Sequence, residues 1–334
     1  MLSARKGSGI NKMNKKLFVI VVAIIILFLL TTSFLYLKRI QNFMVHRGLQ
    51  KNQDILADKF VESAPFVWNN ELKYIIFQRD EENKKYDLAI YDFKTKEKIS
   101  GYGEGLGLGS VLVQNDRLYI FATKNWMAKS DSSNRSEVVM ITTDDLKNFS
   151  EPATIYTAAD RQILFNSSVT YNPDQKKYIM ALETDEPGFV AFSIRFLESD
   201  DLSHWNLFPD RVFGRYAYAA CPTIRYIDGY YYLWYLKAVQ FDPNQPTKNS
   251  YVEQLSKSGD LIDWQTSPQY VLAPDQKGEG IDTSDIDFIE YKNKMYILYA
   301  IGDQVTWAKI KYAVFDGGLD TWVKQFYFPD SKSD

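Results

Sequence analysis

Three aspartates fall within six residues, Asp282, Asp285 and Asp287, in the segment Asp282-Thr283-Ser284-Asp285-Ile286-Asp287. If the segment is a strand, Asp285 and Asp287 share one face, because strand side chains alternate. Two neighbouring carboxylates repel, and one is pushed toward a raised pKa. Such a pair suits general acid/base work or the holding of a cation. The alternative is structural, with one Asp capping a turn and the other pairing with an Arg or Lys. Glu183 directly follows the apolar run Tyr178-Ile179-Met180-Ala181-Leu182, which puts it either at the mouth of a site or on a solvated loop. Other chemistries have less support. His46, His204 and the single Cys221 cannot make a metal cluster, and neither His completes a Ser-His-Asp arrangement. Gly103, Gly105, Gly107 and Gly109 alternate like a phosphate loop but lack the Lys and helix that would follow. No cofactor and no metal are expected.

These carboxylates need a scaffold, and a repeat supplies one. A short apolar pattern recurs five times, at Tyr74-Ile75-Ile76-Phe77, Tyr119-Ile120-Phe121-Ala122, Tyr178-Ile179-Met180-Ala181, Tyr232-Leu233-Trp234-Tyr235 and Tyr296-Ile297-Leu298-Tyr299. Each copy follows a polar turn, such as Asn69-Asn70 or Asp228-Gly229, and each turn follows another run of strand formers. The unit is a hairpin. Three units continue into Ser/Thr-x-Asp-Leu-x-x-Trp/Phe: Thr143 to Phe149, Ser199 to Trp205 and Ser258 to Trp264. In these turns the Asp tolerates turn geometry, and the Leu and aromatic pack between units. Unit five shows only Leu319-Asp320-Thr321-Trp322. A strand repeat of roughly 40–60 residues predicts an all-β, five-bladed β-propeller over residues 61–330.

In a propeller the innermost strand of each blade lines the central channel. The starts of these strands and the ends of their returning partners therefore surround one mouth. The reading places Asn166, Arg225, Tyr218, Trp126, Asp303 and Gln304 there, with Asp285, Asp287 and Glu183. For Arg225 an inter-blade salt bridge is the stronger reading. Tyr218, Trp126 and Trp234 are candidate sugar-stacking or wall residues, with inter-blade core the stronger reading for Trp234.

A five-bladed propeller with Ser-x-Asp-Leu-x-x-Trp turns resembles the clan of glycoside hydrolases that includes families 43 and 32, the arabinanase and invertase type. Cys221-Pro222-Thr223-Ile224-Arg225-Tyr226 followed by Asp228-Gly229-Tyr230-Tyr231 looks like a fourth-blade inner hairpin of such proteins. The segment from Ser284 to Gln304 resembles a last-blade motif of a less characterised subgroup. The resemblance implies hydrolysis of a glycan by carboxylates around the funnel. The chain departs from it at two positions. The acidic residue that stands before a Pro in blade one is here Ala64, and the Glu of Glu-Cys-Pro is here Ala220. Either other carboxylates work, Asp285 or Asp287 as base with Glu183 as acid and Glu62 a further candidate, or the funnel binds a glycan or a protein partner without cleaving.

Residues 17–37 carry no charge over 21 positions, about 31 Å as a helix, which matches a bilayer core. Arg5, Lys6, Lys12, Lys15 and Lys16 precede them and favour a cytoplasmic tail over residues 1–16. The expected order is basic tail, transmembrane anchor, a helical stalk over residues 38–60, and an extracytoplasmic propeller at the cell membrane, with a cleaved signal peptide as the alternative to the anchor. Residues 1–51 hold nine Lys or Arg and no acid, so the remainder has 30 basic and 42 acidic residues, a formal net of −12. That charge disfavours a nucleic-acid partner. A single cysteine excludes an internal disulfide.

Overall fold

The computed structural model describes residues 20, 48–58, 62–80, 85–126, 134–240, 250–274, 278–303 and 306–327. The chain divides into two units, residues 1–45 and 46–334. Residues 17–37, apart from Ile20, lie outside the described part, as do residues 38–47. Among the described residues no helix is long and apolar enough to cross a membrane.

The second unit is a five-bladed β-propeller. Two short strands open it, β1 (Leu49–Lys51) and β2 (Ala57–Asp58). Blade one is β3 (Ser63–Trp68), β4 (Glu71–Asp80), β5 (Lys85–Asp92) and β6 (Lys98–Tyr102). Blade two is β7 (Leu106–Gln114), β8 (Arg117–Lys124), β9 (Glu137–Thr143) and β10 (Ala153–Thr157). Blade three is β11 (Ile163–Asn172), β12 (Lys177–Asp185), β13 (Ser193–Ser199) and β14 (Asn206–Phe213). Blade four is β15 (Ala220–Ile227), β16 (Tyr230–Gln240), β17 (Ser250–Ser258) and β18 (Gln265–Leu272). Blade five takes β19 (Asp282–Tyr291), β20 (Lys294–Gly302) and β21 (Ala308–Asp316) from the end of the chain. The inner strands β3, β7, β11, β15 and β19 pack in sequence around the axis.

The predicted turns form for local reasons. Asn69-Asn70, Asn115-Asp116, Asp228-Gly229 and Lys292-Asn293 all have positive φ at both positions, which matches the right-handed twist of a tight hairpin. In the Ser/Thr-x-Asp-Leu turns it is the Leu that takes the left-handed conformation, with φ of 61° at Leu146, 69° at Leu202 and 65° at Leu261. The Asp is the cap. Asp145, Asp201 and Asp260 each accept two backbone N–H groups at 2.7–2.9 Å. The preceding hydroxyl accepts the Leu N–H at 2.9–3.0 Å. Burial holds each Leu in this unfavourable region, because its side chain fills the seam between blades with the aromatic that follows.

The closure of the ring differs from expectation. The part of the expected helical stalk that is described, residues 49–58, is extended. β1 and β2 pair antiparallel with β21, and β1 is the outermost strand of blade five. Leu319-Asp320-Thr321-Trp322 is not a strand-linking turn but the start of helix α1 (Leu319–Lys324). Trp322 stacks on Trp234 at 5.6 Å and meets Phe288 edge-on at 4.9 Å, sealing blade four against blade five. Trp234 is core.

β1 is fastened by charge. Lys51 Nζ donates to Glu279 Oε2 at 2.5 Å and to the Ala273 carbonyl at 3.0 Å. Lys311 Nζ and the Tyr299 hydroxyl donate to Glu279 Oε1 at 3.2 and 3.1 Å. Glu279 is 2 % exposed. Removing one member of a buried ionic group leaves the others uncompensated. Glu279→Ala should therefore lower unfolding stability by about 3–5 kcal/mol in chemical denaturation. An unchanged midpoint would show that β1 is not fastened by this group.

Candidate active site

One irregularity recurs in the inner strands and builds the site. In β7 the pairing with β8 shifts between Gly107 and Ser110. In β11 it shifts between Leu164 and Ser167, in β15 between Ala220 and Thr223, and in β19 between Ser284 and Asp287. Each shift sets three steps on the inner strand against two on its partner. Each is therefore a β-bulge, with one extra residue that reverses the side-chain alternation beyond it. Only β3 pairs without a shift. Cys221 and Asp285 sit in their bulges with φ of 49° and 55°.

The bulges change the expected relation between Asp285 and Asp287. Simple alternation would place them side by side, but Asp285 lies inside the bulge and Asp287 just beyond it. Both still line the central cavity, with Glu62, Asn166, Cys221 and residues of each other inner strand. Their partners differ. Asp287 Oδ1 takes Arg225 Nη2 at 2.6 Å and the Phe288 N–H at 2.7 Å. Burial raises the Asp287 pKa and Arg225 opposes the rise. Asp285 is half-buried and acts electrostatically on Glu183, Glu253 and Cys221.

Glu183 is a strongly perturbed carboxyl with a defined cradle. It lies near the end of β12, opposite the blade-three bulge, and is 3 % exposed. Its Oε2 accepts the Cys221 N–H at 2.7 Å and Asn166 Nδ2 at 3.1 Å. Burial pushes its pKa up to about 8, Asp285 and Glu62 add to the rise, and the two hydrogen bonds oppose it. At neutral pH the carboxyl is mostly protonated. With Oε2 accepting twice, the proton belongs on Oε1.

The same device occurs one blade on. Glu253, in β17, accepts the N–H of the bulge residue Ile286 at 3.4 Å, and its Oε2 is buried without a hydrogen-bond partner. Burial, then Asp285 and Asp282, push its pKa far above the usual carboxylate range. Sequence reading missed Glu253. The available signal was an acid inside the strand Tyr251-Val252-Glu253-Gln254-Leu255, where a charge has no solvent.

The other candidates scatter. Asn166 is in the cradle, and its amide also lies 3.6 Å from Cys221 Sγ. Arg225 is an inter-blade tie. Besides Asp287 it donates to the Phe288 carbonyl at 3.0 Å and lies 4.7 Å over the Phe288 ring. Tyr218 packs on Phe192 and Tyr251 at the mouth, within electrostatic reach of Glu183 and Asp285. Trp126 sits instead in the seam of blades one and two, edge-on to Phe77 at 5.5 Å and to Tyr86 at 5.7 Å. A Cβ on Gly107 would lie 2.6 Å from Phe77, so glycine is required where the blade-two strand enters that seam. Asp303 caps a turn, accepting the N–H groups of Thr306 and Trp307 at 2.7 and 3.1 Å. Gln304 lies outside the described residues. Ala64 and Ala220 are both buried. The cavity volume is about 30 Å³, room for one or two water molecules. Chemically, the funnel offers two buried carboxyls with raised pKa, Glu183 and Glu253, beside the half-buried Asp285.

No family model matches the chain, and no curated protein matches it. Solved structures do. An N-acetylgalactosamine deacetylase from F. plautii, in complex with blood group B trisaccharide, superposes with a TM-score of 0.60 at 10 % identity, covering 84 % of this chain and 98 % of that one. A glycoside hydrolase described as putative, from Bacteroides ovatus, gives 0.56 at 14 % identity, covering 85 % and 96 %. The α-L-arabinofuranosidase Arb93A from Fusarium graminearum, in complex with an iminosugar inhibitor, gives 0.52 at 12 % identity, covering 76 % of each chain. At these identities what is shared is the fold, and the chain is a five-bladed β-propeller whose structural neighbours include arabinanase- and arabinofuranosidase-type glycoside hydrolases.

Proposed function

We propose that this chain is a membrane-anchored, extracytoplasmic propeller that binds a glycan at the mouth of its funnel and hydrolyses it. The observation that carries the reading is the pairing of Glu183 with Asp285. The first is a carboxyl held near pKa 8 by burial, and the second is a half-buried carboxylate close enough to contribute to that shift. A protonated carboxyl beside a second, more exposed one is the arrangement that glycoside hydrolysis uses for its acid and base. Glu183 gives its proton to the glycosidic oxygen as the bond to the anomeric carbon breaks. Asp285 takes a proton from the water that attacks that carbon. Residues 17–37 supply the anchor. The neighbours' activities support a glycan ligand, since their names include an arabinofuranosidase and a deacetylase holding a blood group trisaccharide.

A second reading, binding without cleavage, is favoured by the 30 Å³ cavity and by alanine at positions 64 and 220. Glu183→Gln and Asp285→Asn separate the two. Under the hydrolytic reading each lowers sugar release from arabinan, fructan or bacterial polysaccharides by about 10²–10⁴-fold while glycan binding in calorimetry persists. A wild-type protein that binds but releases nothing establishes the binding reading instead. No binding to any glycan sinks both.

The raised carboxyls also predict a pH dependence of stability. Glu183 holds a proton in the folded state that the unfolded chain has lost above about 4.5, the ordinary value. Its favourable contribution is complete below about 4.5 and is lost as the pH rises through about 8. The melting temperature should fall across that interval, and Glu183→Gln should flatten the fall. A profile identical to wild type would mean that Glu183 ionises normally. The anchor has a separate check. Protease added to intact spheroplasts should digest the propeller and spare residues 1–16, and a propeller cut only after lysis reverses the orientation.

A further inference from the structure

Beside the funnel, between blades three and four, lies a recess of about 580 Å³. It is on the funnel's rim, because its wall is the crossing from β14 into the start of β15. That crossing is firmly held. The Val190 N–H donates to the Arg215 carbonyl at 3.1 Å, the Ala217 N–H to the Gly214 carbonyl at 3.1 Å, and the Ala219 N–H to the Phe192 carbonyl at 2.9 Å. Gly214 has φ of +78°, and a Cβ there would lie 2.7 Å from the Ala219 Cβ. Phe213 and Tyr235, edge-on at 4.7 Å, form an aromatic side. Tyr216 on the same wall is 85 % exposed and presents its ring to solvent.

Two cations face this recess, Arg215 and Lys237. Each lies over a ring rather than an acid, Arg215 4.8 Å from the centre of Phe189 and Lys237 Nζ 5.7 Å from that of Tyr270. Among the described residues neither forms an ion pair with a carboxylate, although Asp210 also lines the recess. Cation–π contacts orient the two groups and leave their charge uncompensated. In a propeller that is acidic overall, two such cations beside an exposed Tyr mark a local reversal of potential.

We infer that the recess takes an anionic saccharide unit, carrying carboxylate or phosphate, of the glycan that enters the funnel. The inference rests on the glycan reading above and adds the charge class of the ligand. Arg215 offers a planar fork suited to either anion, Lys237 a second point charge, and Tyr216 a face for a sugar ring. Tyr218 lines both the recess and the approach to Glu183 and Asp285, so one chain of linked sugars can occupy both places.

Binding of the full chain to three probes tests this: oligogalacturonate, its fully methyl-esterified neutral form, and a glycerol phosphate oligomer. At least one anion should bind about tenfold or more tighter than the ester, and added salt should erode the difference. Arg215→Ala and Lys237→Ala should each cost about tenfold for the anion and leave the ester unchanged. Whichever anion binds tighter identifies the charged group. Equal binding of acid and ester, or full anion affinity in both variants, overturns the recess as an anion site while the glycan reading stands. If no probe and no neutral arabinan or fructan binds, the glycan reading itself has failed.

Discussion

A bulged inner strand leaves an amide aimed away from its own ladder, and a buried amide must find an acceptor. This requirement organises the centre of the propeller. Blade four's bulge sends the Cys221 N–H into Glu183 of blade three, and blade five's bulge sends the Ile286 N–H into Glu253 of blade four. The acids are therefore drawn into the centre by the backbone, and their burial then raises their pKa. Hydroxyls do the same work nearby. Ser168 and Thr170 accept the N–H groups of Ile224 and Tyr226 at 3.1 Å, and Thr223 donates to the Ile286 carbonyl at 2.5 Å. The chemistry of the funnel and the cohesion of its blades thus share the same hydrogen bonds.

The fold was legible because its signals are local. Hairpins announced by Asn-Asn, Asn-Asp and Asp-Gly, and a turn written as Ser/Thr-x-Asp-Leu, need only a few residues of context. The seams followed from the same motif, since Leu202 and Trp205 or Leu261 and Trp264 bury where their turn delivers them. Closure was not legible. Nothing in Leu49-Gln50-Lys51 distinguishes a strand that pairs with Ala313 to Phe315 from a polar stalk. The Leu-Asp-Thr-Trp segment kept the letters of the repeat but became a helix, because Trp322 fills the gap that Trp234 and Phe288 leave open.

The site was legible by region and not by pairing. Strand alternation brought Asp285 and Asp287 together on paper, and one inserted residue assigned them to different partners. A bulge is a disagreement of register between two strands, so it has no signature in either strand alone. Arg225 illustrates the converse case, since the tie between blades that its sequence position suggested is what it forms with Asp287. Glu253 was overlooked because its meaning comes from the neighbouring blade's Ile286.

Blade five draws its two outer strands, β1 and β2, from before blade one and its other three from after blade four. Leu49 pairs with Phe315. On the ribosome, β1 emerges with nothing to pair with and must wait until almost every other strand has been made. Four blades can assemble by neighbour contacts as they appear, but the ring cannot shut until β21 has been made. Closing so long a loop adds entropy cost only slowly with length, while the most non-local contact arrives last. β1 therefore stays unpaired while the blades between are made, and it covers the edge of β21 once that strand exists.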